Sequence, residues 1–173
     1  MNPQVEAFLN FLTTEKGASE HTTKNYAIDL REFVKFIGEK ALKDLTYLDI
    51  RGFLAFLKTG EFSKSSVSRK LACLRSFFKY LVRENLLTQN PAAGIATPKK
   101  EKRLPSFMNP DEITKLLDAP AKNCWEEKRD KAILEMLYSS GLRVSELAGL
   151  NHEDLDFSSG LVRVRGKGKK ERI

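Results

Sequence analysis

The sequence predicts a mainly α protein in two parts: a four-helix bundle over residues 1–97, then a mixed α+β unit from residue 106 to 173. Three observations carry this. Apolar residues recur at helical spacing in four successive stretches before residue 90, each opened by a capping residue. A polar, basic, proline-bracketed run from Thr97 to Pro105 separates them from the rest, and residues 98–105 read as a linker. After residue 150 the period turns to strict alternation, with Leu161, Arg163 and Arg165 set against Val162 and Val164.

Asn2-Pro3 places an N-cap and a proline at the first helical position, and Val5, Phe8, Leu9 and Leu12 form the stripe that follows. Ser19 caps a second helix whose apolar side is Tyr26, Leu30, Phe33, Val34 and Ile37; the opposite side carries His21, Lys24, Arg31 and Lys35. Thr46 and Asp49 form a capping box for a third, with Ile50, Phe53, Leu54 and Leu57 inward and Gly60 as its stop. Ser63 or Ser65 opens the fourth. There Val67, Leu71, Leu74, Phe78 and Leu81 face the core, while Ser65, Arg69, Ala72, Ser76 and Arg83 lie on the far side, flanked by Lys70, Arg75 and Lys79. Small residues among arginines let a helix approach a phosphate backbone or enter a major groove. The same pattern suits an ordinary solvated face. Four such helices make a compact bundle, closed by Asn90-Pro91.

The second part restarts at Asn109-Pro110-Asp111-Glu112, an N-cap with a capping box, and its apolar side is Ile113, Leu116 and Leu117. A longer helix runs from about Trp125 to Tyr138, and Gly141 stops it. Arg143 follows between Leu142 and Val144, three residues before Glu146. A buried-side guanidinium at such a junction can grip two phosphate oxygens at once. Asn151 caps a turn before a first strand at 154–157, and a second strand covers Leu161–Arg165. Gly166-Lys167-Gly168 then reads as a hairpin turn with a lysine at its tip, able to protonate a leaving oxygen. With the sequence ending at Ile173, the second strand is expected to keep an open edge.

Composition narrows the function classes. Thirty Lys and Arg against 23 Asp and Glu give a net charge of +7, which favours a polyanionic partner. No apolar run approaches the roughly 20 residues of a membrane span, and no signal peptide is apparent, so a cytoplasmic protein without a membrane partner is expected. Cys73 and Cys124 read as separate thiols of a reducing compartment, and His21 and His152 lack partners at ligand spacing, so no metal is expected.

Two stretches, GLRVSELAGL from Gly141 and DLDFSSGLVRVRGKGKKER from Asp154, closely resemble the tyrosine recombinase (phage integrase) family, Xer type. The run of Ser19, Thr22, Tyr26, Asp29, Leu30 and Phe33 and the run SSVSRKLACLRSFFKYL extend the likeness to the N-terminal part. The resemblance implies a SAM-like core-binding bundle followed by a truncated tyrosine-recombinase catalytic domain. It implies Arg143 and Lys167 as catalytic residues and Glu146 as the support of Arg143. It favours DNA over solvent for Lys24, Arg31, Lys35, Ser65, Arg69, Lys70, Arg75 and Ser76, and for Lys99, Lys100, Lys102 and Arg103 of the linker.

The implied activity is site-specific cutting and rejoining of double-stranded DNA through a 3′-phosphotyrosyl intermediate, with no cofactor. The implied partners are a DNA recombination site and a second recombinase protomer, in a homo- or hetero-tetramer on DNA. Tyr26, Tyr47, Tyr80 and Tyr138 match no nucleophile position, so the sequence reads as a fragment, inactive alone. A DNA-binding module without catalysis, an integrase of a mobile element and a helical protein-interaction domain are the competing readings.

Overall fold

The computed structural model describes residues 2–60, 62–99, 104–120, 124–165 and 171–172. It separates into two compact units, Met1–Arg103 and Leu104–Ile173.

The first unit holds α1 (Pro3–Thr14), α2 (Glu20–Ile37), α3 (Tyr47–Thr59) and α4 (Lys64–Arg83). Each start has a local chemical cause. Asn2 Oδ1 accepts the Gln4 N–H at 3.0 Å, Ser19 Oγ accepts that of Thr22, and Asp49 accepts both the N–H and hydroxyl of Thr46. Of the two serines that could open α4, Ser63 does so, accepting the Ser66 N–H at 3.1 Å. The inward stripes meet in a core of five fully buried phenylalanines, Phe8, Phe33, Phe53, Phe77 and Phe78. Phe33 packs edge-on against Phe53 at 5.1 Å and Phe78 at 6.0 Å, and Phe8 against Phe77 at 5.4 Å. Each such ring contributes about 1.5–3 kcal/mol by leaving water. The bundle runs past its expected close at Asn90-Pro91, because Ala92 and Ile95 are also buried in the core.

Cys73 sits inside this core, its thiol 3.8 Å from the Tyr26 carbonyl, and burial pushes it far above the ordinary thiol range. Cys124 lies exposed at the N-cap of a helix in the other unit.

The second unit holds α5 (Pro110–Asp118), α6 (Trp125–Ser140) and α7 (Val144–Ala148), followed by four two-residue strands, β1 (Leu155–Asp156), β2 (Leu161–Val162), β3 (Val164–Arg165) and β4 (Glu171–Arg172). Asn109 and Glu112 exchange the expected capping bonds, at 2.8 and 2.9 Å. Gly141 ends α6 at φ +61°, a left-handed turn that costs glycine nothing. The single strand expected over 161–165 is two. β2 pairs with β1, and the Arg163 N–H then turns to the Asp154 carbonyl at 2.8 Å. β3 pairs with β4, so the edge expected to stay open has a short partner. Leu142 and Val164 are the buried apolar residues among those described here. No helix among the described residues is long and apolar enough to cross a membrane.

Candidate nucleic-acid interface and phosphate-binding arginine

The left-handed turn at Gly141 throws the chain directly into α7, and Arg143 is the residue before that helix. Its backbone N–H donates to Glu146 Oε2 at 2.8 Å and its Nη1 to Oε1 at 2.7 Å. The carboxylate of Glu146 therefore holds both the backbone and the fork of Arg143. The exposures are opposite: Glu146 is 7% exposed at its side chain and Arg143 73%. This corrects the buried-side expectation, since only Leu142 of the two apolar neighbours is buried while Val144 is exposed. The result is an outward guanidinium anchored at its base, with donors left to meet an anion.

On α4, the cations expected on the outward face or its flanks have four different fates. Lys70 is not a surface residue at all. Its side chain is 4% exposed, and its ammonium donates to Asp29 Oδ1 at 2.9 Å and to Glu32, beneath the ring of Phe62 at 5.2 Å. Burial alone pushes this ammonium down, but the hydrogen bonds it donates to Glu32 and Asp29, with the attraction of their charges, outweigh it and the net direction is up. A lysine so enclosed presents no free ammonium at the surface, contrary to its expected place among the DNA-contacting residues.

Arg75 is half-buried and turned toward the end of the bundle. Nε donates to the Ala92 carbonyl at 3.3 Å, Nη1 to Thr97 Oγ1 at 2.9 Å and Nη2 to the Ile95 carbonyl. Asn90 Nδ2 closes the clasp on the Arg75 carbonyl at 3.1 Å. These bonds tie down the segment that brings Ala92 and Ile95 onto the core.

Arg69 keeps its position on the outward stripe, 40% exposed at its side chain, with Nη1 bonded to Asp29, which is 1% exposed. Ser65 and Ala72 beside it are exposed and Ser76 is half-buried. Arg83 is drawn away from that stripe. It lies 4.1 Å over Phe11 and pairs with Glu15 and Glu84. On α2, Lys24 is exposed and paired with Glu20 at 2.7 Å, while Arg31 and Lys35 are exposed. Lys99 is exposed; Lys100, Lys102, Arg103 and the hairpin Lys167 lie outside the described residues. Among the described residues, no three His, Cys, Asp or Glu side chains come together as a metal site.

Two features escaped the sequence reading: the helix α7 and the buried carboxylate of Asp29. The second had a signal. Asp29 stands on the apolar side of α2 between Tyr26, Leu30 and Phe33, where a carboxylate requires a cation from a neighbouring helix.

Residues 5–85 match the family model of the phage integrase N-terminal SAM-like domain, and residues 106–173 match that of the phage integrase family. Tyrosine recombinase XerC of Syntrophus aciditrophicus (strain SB) is 43% identical over 183 residues, covering all of this chain and 59% of the relative. Tyrosine recombinase XerC of Thermodesulfovibrio yellowstonii is 48% identical over 166 residues, covering 96% of this chain and 55% of the relative. The short layout, with Leu74-Arg75-Ser76-Phe77-Phe78 and Leu155-Asp156-Phe157-x-x-Gly160, also resembles the XerC branch. This chain thus spans less than two thirds of the length of these curated relatives. A lambda integrase dimer bound to a COC′ core site has the same fold over 99% of this chain and 58% of its own, with a TM-score of 0.77 at 20% identity.

Proposed function

Because the chain belongs to the phage integrase family of tyrosine recombinases, we propose that it works within a site-specific recombinase of the XerC kind, cutting and rejoining duplex DNA. Residues 1–97 would grip the duplex, 98–105 would cross its backbone, and 106–173 would bring the first catalytic residues to the scissile phosphate. A cytoplasmic setting, chromosome dimers as substrate and a tetramer of protomers on the DNA complete the reading.

The observation that carries it is the exposed Arg143 fork held by Glu146 at the start of α7, inside the matched catalytic segment. In the reaction a tyrosine oxygen attacks a DNA phosphodiester, forms a 3′-phosphotyrosyl bond and releases a 5′-hydroxyl. Charge builds on the non-bridging oxygens, where Arg143 donates. Lys167 gives the departing 5′-oxygen its proton. A second 5′-hydroxyl then attacks the phosphotyrosine and restores the tyrosine. The bond energy stays in the covalent intermediate, so the cycle calls for no cofactor. Removing a donor of this kind costs about 3–4 kcal/mol of transition-state stabilisation. No tyrosine among the 173 residues matches the family nucleophile, so the attacking oxygen is assigned to a segment outside them.

A nicked duplex that traps covalent complexes tests this, run against the 173-residue chain. Binding that weakens steeply with salt, and no adduct on a denaturing gel, is the expected pair of results. A covalent band would place a nucleophile within this sequence; salt-independent or absent binding would remove DNA as the partner.

A further inference from the structure

We propose that Arg69 reads the edge of a guanine in the major groove, and that Asp29 is the positioning residue that aims its guanidinium. This rests on the DNA-binding reading above and names the chemistry that the outward stripe of α4 recognises.

Three observations favour a base edge over a phosphate. The first is charge. Arg69 and Lys70 are matched by Asp29 and Glu32, two cations against two carboxylates in one connected network. Counterion release rewards net positive charge, which this group does not offer. What it offers is direction. Second, Arg69 is held from behind by a carboxylate that is 1% exposed, itself fixed by the buried Lys70 at 2.9 Å. Nη1 is the donor engaged among the described hydrogen bonds, and an arginine fork carries five N–H donors in one plane. Guanine presents two acceptors, O6 and N7, matched to two parallel donors. Third, the helix can get deep enough. A helix with its side chains is about 10–12 Å across and the major groove about 12 Å wide. Long side chains on the leading face would hold the backbone away from the bases. On α4 that face places Ser65 one turn before Arg69, Ala72 one turn after it and Ser76 two turns after it.

Selection from duplexes randomised over two helical turns, followed by sequencing, is the test. The wild-type chain is expected to enrich a guanine at one position. Arg69→Ala and Arg69→Lys should each lose that preference by about tenfold or more, the discrimination of a bidentate pair, leaving other positions as they were. Lys keeps the charge and loses the fork, so its failure separates geometry from attraction. Asp29→Asn should weaken the same position while leaving the salt slope of binding unchanged.

Unchanged enrichment in both Arg69 variants overturns the inference and leaves DNA binding standing. So does uniform weakening in Arg69→Lys and Arg69→Ala with a salt slope shallower by about one, the mark of a phosphate contact. Binding by the wild type without any base preference overturns it as well. No binding of duplex at all would remove the DNA-binding reading and this inference together.

Discussion

Replacing Lys70 by methionine should cost the first unit more than any surface change could. The Lys70 and Asp29 side chains are 4% and 1% exposed and meet at 2.9 Å. Methionine has nearly the length of lysine, so little cavity opens; what changes is that Asp29 keeps only Arg69, which is partly hydrated. Removing one partner of a buried pair costs about 3–5 kcal/mol. A domain of this size is stable by about 5–15 kcal/mol. Since 1 kcal/mol moves the midpoint of a domain of this size by about 4–8 °C, a fall of at least about 12 °C is expected.

The double variant Lys70→Met, Asp29→Leu should regain much of this, because no charge is then left buried and Glu32 and Arg69 can turn to water. The assay is urea unfolding of the wild type, the two single variants and the double variant, with hydrogen exchange of the α2 and α4 amides locating the loss. The sign with pH follows from the raised lysine. Its contribution is fully present below the ordinary lysine value near 10.4 and disappears as pH rises through the higher folded value. A single variant within about 1 kcal/mol of wild type, or a double variant as poor as the summed singles, would refute the buried-pair reasoning.

Two further outcomes are expected. Asp49 is held at about 2 by hydrogen bonds from Lys40, then from the Thr46 N–H and hydroxyl. Its stabilisation is present above about 4 and is lost as pH falls toward 2, so Asp49→Asn should cost about 1 kcal/mol at neutral pH and flatten the acid limb of an unfolding profile. Arg75→Ala should release residues 92–97 and speed proteolysis between Thr97 and Pro105, while leaving the salt slope of DNA binding unchanged; a slope shallower by about one would show that Arg75 meets phosphate instead.

How much of this was legible beforehand depends on how local each cause is. The four bundle helices follow from short-range chemistry, since Asn2, Ser19 and Thr46 each cap within a few residues and the apolar stripes have one period. Position on a helical wheel is a weaker guide. Lys70 and Arg75 flank the same face as Arg69, yet one is taken by carboxylates on α2 and the other by the carbonyls of Ala92 and Ile95. Those partners lie some forty and twenty residues away in sequence, and no periodicity reports them. The strand split at Arg163 was equally hidden, because alternation continues through it while the hydrogen-bond partner changes. Arg143 and Glu146 were readable as a pair from their spacing; that the carboxylate and not the arginine is the buried member was not.

The two thiols have a use beyond packing. Cys73 has no solvent access and a strongly raised proton affinity, whereas Cys124 is open to water. A thiolate is the form that alkylates. A maleimide dye or spin label added to the native protein should therefore attach once, at the start of α6, without any cysteine being removed. That gives a single native reporter in the second unit and none in the bundle, and slow attachment at Cys73 on adding urea becomes a clock for the bundle's opening.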